Sequence, residues 1–389
     1  MGAAGSTFTS QKSILVTGGA GYVGAHVCEA LAAAGYRPVT LDNLSTGRRR
    51  FVRWGPLVEG DVWDAELVRH TLVAHNVCAV MHFAASSVVP ESVRAPLDYY
   101  RNNVGGLFGL LGGMRAAGVD TLVFSSTCAV YGDPGAEPIT EAQALAPVTP
   151  YGRSKLGCEQ ILSDASAAHG LKVVALRYFN ACGASACGLI GEDRPVETHL
   201  IPRAMTALLG GLDDFAVYGT DYPTPDGTAI RDYVHVSDLA QGHLSALRQL
   251  LADRRGFPAY NLGAGQGHSV RQVLAAIMDH SGADLPRISG DRRAGDPVHL
   301  VSDIALARRE LGFQPRRSDL KSIVASAWAW HSRLSEVRAS GGAATPSAFP
   351  ASGLRISAAP ACDAPARRPS RHGPARPDAD GGHADGRWG

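Results

Sequence analysis

The sequence predicts an α/β protein built on a doubly wound parallel sheet, followed by a smaller C-terminal lobe and a disordered tail. Three observations lead there. Short β-branched runs alternate with helix-period segments through the first half of the chain, which is how βαβ units read. A glycine-rich turn, Gly18-Gly19-Ala20-Gly21, joins the first of those runs to the first helix. After about Arg338 large apolar residues almost vanish.

Taken in order, residues 13–17 (SILVT) make the first strand, 22–34 a helix stopped by Gly35, and 38–41 the second strand. Further strands are expected at 77–83, 121–125 and 172–177, separated by helices at 91–117 and 151–168. Past Asn180 the order switches to a loop-rich stretch with shorter elements. It is closed by a helix at 318–334, whose Leu320, Ile323, Val324, Ala327 and Trp328 form one apolar stripe. The expected organisation is a first lobe over 12–185, a second over 186–335 with some segments returning to the first, and a tail over 339–389. Within that tail the large apolar residues are Phe349, Leu354, Ile356 and Trp388, too few to offset the entropy of ordering. Six arginines against four aspartates make it weakly basic, a solvated extension.

With 45% hydrophobic and 19% charged residues among 389, disorder throughout is excluded. Lys+Arg 37 against Asp+Glu 36 leaves no basic surplus to suggest a nucleic-acid or membrane partner. No apolar run reaches the roughly 18 residues of a membrane span, and residues 1–12 lack the apolar stretch of a signal peptide. Gly2 and Ser6 match the loose myristoylation pattern, as Gly/Ala/Ser-rich leaders do by chance. The seven cysteines include no CxxC pair and have no histidines at zinc spacing, so free thiols in a reducing cytosol and no metal are expected. The cations are lopsided: lysine stands only at 12, 155, 172 and 321, and every other cation is arginine.

The glycine turn continues as Gly21-Tyr22-Val23-Gly24. Gly18 suits a tight turn, Gly21 leaves room for a pyrophosphate at the helix N-terminal amides, and Gly24 lets helix and strand approach. About 24 residues beyond Gly18, Asp42 ends the second strand, where a carboxylate can accept both ribose hydroxyls and repel a 2′-phosphate. The pattern is that of a Rossmann-like dinucleotide site that favours NAD over NADP. Arg48, Arg49 and Arg50 would suit a 2′-phosphate, but three loop arginines more often face solvent.

Pro150 suits the start of the next helix, and Tyr151 and Lys155 fall at i and i+4 on one of its faces. A phenol with a pKa near 10 is a poor base at neutral pH. An ammonium about 4 Å away at an effective dielectric of about 20 is worth roughly 4 kcal/mol, near 3 pK units, which would bring it into working range. A compact ammonium could do this where a guanidinium could not. Ser125-Ser126-Thr127 ends the preceding strand at the edge of the sheet where ligands sit, and its hydroxyls could hold the reacting oxygen.

Together with Asp42-Asn43-Leu44, Gly60-Asp61-Val62, His82-Phe83-Ala84-Ala85, Asn102-Asn103-Val104, Arg177-Tyr178-Phe179-Asn180, Glu197-Thr198-His199-Leu200-Ile201-Pro202, the block from Asp221 to His235, and Arg292-Arg293-Ala294-Gly295-Asp296, these motifs resemble a known group. It is the extended short-chain dehydrogenase/reductase superfamily, and more closely its UDP-glucose 4-epimerase family. The resemblance runs from about Lys12 to Leu334. It implies an NAD-binding lobe and a sugar-nucleotide lobe. Tyr151, Lys155 and Thr127 would be catalytic. Asn43, Asp61, Val62, Phe83, Ala84, Asn102 and Tyr178 would join the glycine loop and Asp42 around NAD. Asn180, Leu200, Ala216, Tyr218, Arg231, Arg293 and Asp296 would hold the UDP. It further implies proton removal from the sugar 4-hydroxyl, hydride transfer to and from a retained NAD, and a homodimer.

Several positions depart from the pattern. Where many relatives carry a lysine beside the cofactor phosphates this chain has Ser86-Ser87, and Pro90 replaces a usual glycine. Leu300 falls where residue size governs access for N-acetylated sugars. A 4,6-dehydratase would need an Asp-Glu pair after Thr127, where Cys128-Ala129 stand instead. Epimerases of pentose, uronic-acid or N-acetylhexosamine UDP-sugars and a non-catalytic NAD-binding protein are the remaining alternatives.

Overall fold

The protein's computed structural model describes residues 11–340, apart from 214, 286, 294 and 295. Its first half runs β1 (Ser13–Thr17), α1 (Tyr22–Ala33), β2 (Arg37–Asp42), β3 (Leu57–Glu59), α2 (Ala65–Ala74), β4 (Val77–His82), α3 (Val89–Arg94), α4 (Pro96–Tyr100), α5 (Gly106–Ala117), β5 (Thr121–Thr127), α6 (Pro150–His169) and β6 (Lys172–Tyr178). The second half adds β7 (Asn180–Cys182), α7 (Leu200–Leu208), β8 (Ala216–Tyr218), β9 (Ile230–His235), α8 (Val236–Leu251), β10 (Ala259–Leu262), β11 (Gly267–Ser269), α9 (Val270–Ser281), β12 (Ile288–Gly290), β13 (His299–Leu300), α10 (Ala305–Leu311) and α11 (Leu320–Ala339).

Seven parallel strands form the main sheet in the order β10-β6-β5-β4-β1-β2-β3. Both faces are covered, which is why the strands read as continuous apolar runs rather than alternating ones. Ile14, Val16, Met81 and Val123 face α1 and α8, while Leu15, Val39, Val80 and Leu122 face the side of α2 and α5. Strand β10 and helix α8 come from the second half of the chain, so the halves interleave in the main sheet. The rest of that half builds a separate core around Ile201, Met205, Phe215, Tyr233, Ile277 and Ile323. Its strand β9 lies between β11 and β13, with β7 also paired to it, and β12 pairs with β8.

The order reverses at β1, which pairs with β2 on one side and β4 on the other. The loops leaving β1 and β4 therefore diverge at this edge and open the crevice in which doubly wound sheets bind ligands.

Two expectations need correction. The continuous helix at 91–117 is broken into α3, α4 and α5. Pro96 pushes Ala95 to φ −130°, ψ 61°, and a π-helical turn over Arg101–Gly105 precedes α5. The last helix runs to Ala339 instead of 334, so the expected tail begins inside α11; its remainder past Ser340 lies outside the described residues.

Candidate active site

The crevice is a cleft of about 1180 Å³, and every residue singled out for cofactor, catalysis or UDP lines it. At the cofactor end, Gly18 takes φ +71°, and a Cβ there would lie 2.6 Å from the Ala84 nitrogen. A Cβ on Gly24 would lie 2.3 Å from the Gly18 carbonyl oxygen, so this glycine seats α1 against the turn itself. Gly21 caps α1 without any side-chain bond, leaving the first-turn amides to an anion. Asp42 is buried; Oδ2 accepts from Ala20 N at 2.9 Å and Oδ1 from Leu44 N at 2.8 Å. Burial raises its carboxyl above the ordinary range, against the pull of those two donors. Both oxygens keep lone pairs for diol hydroxyls. Arg49 pairs with Glu59, and Arg48 and Arg50 with Asp193, so all three arginines serve carboxylates other than Asp42. Uncapped amides, packed glycines and a diol acceptor fit NAD.

At the centre, Tyr151 lies in the first turn of α6. Thr149 caps that turn by accepting from Gly152 N at 3.2 Å, with Pro150 ahead of it. Tyr151 is 9% and Lys155 3% exposed. The expected lowering of the phenol by its lysine is overturned. Burial pushes Tyr151 up to about 12, with the Thr127 hydroxyl pulling the other way. Lys155 Nζ donates to the strand-end carbonyl of Ser125 at 2.9 Å and stands 4.9 Å over the Phe124 ring. Burial lowers it to about 8, because a desolvated ammonium is disfavoured.

The three strand-end hydroxyls separate. Thr127 and Ser125 line the cleft, and Ser125 hydrogen-bonds Tyr178. Ser126, on the opposite face of β5, bonds Glu159, which makes a buried pair with Arg177. Asn103 is a residue whose part the sequence reading missed. The π-helical turn directs it inward, where Nδ2 donates to Ser154 Oγ at 2.9 Å and Ser86 O at 3.1 Å, and Oδ1 accepts from Ser86 N at 2.8 Å. It thereby ties the strand β4 loop to α6 beside Tyr151.

At the far end, Arg231 donates to Asp296 Oδ1 at 2.6 Å and to the Ile230 carbonyl at 2.7 Å. The Arg293 guanidinium lies 4.3 Å over the Tyr218 ring. Asn180, Leu200 and Ala216 complete this wall. Sequence reasoning also missed Glu192 and Arg194, and held His199 only as part of a motif. Burial would raise Glu192, but His199 (2.6 Å) and Arg194 (2.9 Å) outweigh it and hold it down to about 2. Burial and the nearby Glu192 push Glu197 up to about 7. Donor atoms of Glu192, Glu197 and His199 lie within 4.8 Å of one another, yet the ion pairs already satisfy Glu192. Their pattern could not be read because no spacing in a loop announces an ion pair.

Similarity to known proteins follows the same residues. The chain is 52% identical to the UDP-glucose 4-epimerase of Azospirillum brasilense, over 83% of this chain and 93% of the relative. It is 48% identical to that of Rhizobium meliloti, over 84% and 98%. Among solved structures, UDP-glucose 4-epimerase from Brucella ovis in complex with NAD superposes with a TM-score of 0.79 at 50% identity, covering 82% of this chain and 97% of that one. The Bifidobacterium longum enzyme in complex with NAD+ and UDP gives 0.79 at 37% identity, over 83% and 98%. Residues 14–263, which carry the glycine turn, Asp42, the Tyr151 helix and Arg231, match the model of one family, and the chain belongs to it: the NAD dependent epimerase/dehydratase family.

Proposed function

We propose that the protein interconverts UDP-galactose and UDP-glucose as an NAD-dependent 4-epimerase, through a 4-keto sugar. The observation that carries the reading is that the glycine turn with Asp42, the buried Tyr151 and Arg231 with Arg293 all line one cleft. NAD, when bound, supplies the hydride acceptor for C4 and a cationic ring that favours a phenolate. The chain's own residues supply the rest. Tyr151 removes the proton from the sugar 4-hydroxyl and returns it, with Thr127 sharing that hydrogen bond. A phenol raised by burial ionises only with cations at hand; Arg194 already pulls it down, and Lys155 lies one helical turn away. Arg231 and Arg293 hold the diphosphate while the keto sugar turns over. Asp42 holds the adenosine ribose, Asp61 and Val62 flank the adenine, and Asn180, Leu200, Ala216, Tyr218 and Asp296 seat the UDP.

The test is purified protein with UDP-galactose and no added cofactor. Interconversion is expected, and absence of turnover even with NAD supplied refutes the reading. The same assay with pentose, uronic-acid and N-acetylated UDP-sugars sorts the substrates, for which Leu300, buried in the cleft wall, is the residue to vary. A homodimer is part of the proposal. Val93, Leu97 and Phe108 expose apolar side chains on α3–α5, a face a second copy would cover. Leu97→Glu should then shift the sedimentation mass toward one chain. A cytoplasmic setting fits as well: the described cysteines are all free, and no helix among the described residues could cross a membrane.

A further inference from the structure

One carboxylate joins three separated parts of the chain. Asp193, on the loop between β7 and α7, has a side chain only 3% exposed. Arg48 Nε donates to its Oδ2 and to its backbone carbonyl, each at 3.2 Å. Arg50 pairs with the same oxygen, and Arg338 Nη2, in the last turn of α11, donates to Oδ1 at 2.8 Å. Arg48 belongs to the loop that leaves Asp42 and is tied to the glycine turn by its own N–H to Ala20 O at 2.8 Å. Behind Asp193, Trp330 Nε1 donates to Glu192 O at 2.8 Å, anchoring the segment to α11. Arg48 and Asp193 both line the cleft, so their contact joins its two walls at the cofactor end.

We infer that Asp193 is a positioning residue that retains NAD: its carboxylate clamps the cofactor loop to the substrate loop, and the clamp opens for NAD to leave. The inference rests on the NAD-dependent reading above. Charge makes the clamp sharp. With the carboxylate neutralised, Arg48 and Arg50, whose side chains are 28% and 12% exposed, lose the counter-ion they share where water only partly screens them. This chain lacks the lysine expected beside the cofactor phosphates, so closure of the walls is a second means of holding the cofactor.

The test follows bound NAD rather than turnover. Wild type, Asp193→Asn, Asp193→Glu and Arg48→Gln are freed of excess NAD by gel filtration, and loss of the remaining cofactor is timed against an NAD-consuming scavenger. Asp193→Asn and Arg48→Gln should each lose NAD about ten-fold faster or more, since removing one member of a desolvated charge pair acts on dissociation. The double variant should be no faster than Asp193→Asn, and Asp193→Glu should return toward wild type. If Asp193→Asn does not fold, Arg48→Gln alone carries the expectation. Unchanged NAD loss in the folded variants, or fully additive effects, overturns the clamp alone. A wild type that binds no NAD overturns the clamp and the NAD-dependent reading together.

Discussion

Replacing Lys155 by methionine should leave the protein at least as stable at pH 7 while disabling it. The ammonium is buried and its pKa falls from 10.5 to about 8. At about 1.4 kcal/mol per pK unit, holding it charged in the fold costs about 3 kcal/mol. Removing it also strips the Ser125 carbonyl of its donor at 2.9 Å, a loss of about 1–3 kcal/mol. The net at pH 7 lies between no change and a gain of about 2 kcal/mol. The pH dependence isolates the effect. Between pH 8 and 10.5 the folded chain has released this proton and the unfolded chain has not, so wild-type stability rises with pH. The lysine's penalty is therefore absent above 10.5 and fully present below 8. The variant lacks that slope, so urea unfolding of the pair should show their difference moving in favour of wild type by about 1.4 kcal/mol per pH unit through the window. A difference that stays flat from pH 8 to 10 would mean the ammonium is not desolvated, and the argument would fail. Turnover should drop by about a hundred-fold or more.

Tyr151→Phe keeps the ring and loses the proton carrier: turnover should fall by about 10²–10⁴, with UDP affinity by calorimetry intact. Gly24→Ala places a methyl 2.3 Å from the Gly18 oxygen, so α1 must back away; stability should drop by about 1–3 kcal/mol and NAD titration should show weaker binding. Burial holds His26 and His82 near 3 and His243 near 4, so they fold neutral. The unfolded chain takes up those protons as pH falls below 6.5. Each should remove about 2 kcal/mol by pH 5, read as a falling urea midpoint, and an unchanged midpoint would contradict their burial.

What the sequence made legible is what short-range chemistry decides. The glycine turn, the first strand and helix, Asp42 and the start of α6 each depend on backbone torsion or capping within a few residues, and the fold places them where those rules put them. Pro96, where α3 gives way to α4, is a break signal that the expected helix at 91–117 ran through. Strands β7, β8, β11, β12 and β13 span three residues or fewer, too short for a period of two to register. The Asp193 clamp could not be read at all, since Arg48 and Arg338 stand 145 residues away on either side and Arg50 143.

The Tyr151/Lys155 pair shows the limit of spacing most clearly. An i, i+4 relation puts both side chains on one helix face, and the scarcity of lysine marks Lys155 as chosen for its compact charge. It says nothing about what the amine bonds. Ser125, near the end of β5, offers its carbonyl, and a buried ammonium takes the acceptor it can reach. Lys155 therefore donates to the sheet, and its own burial rather than the phenol sets its charge. The same burial that lowers the lysine raises the tyrosine, leaving their titrations near 8 and near 12. A tyrosine base in this cleft needs a bound positive charge to lower the phenol, so proton transfer waits on a filled site.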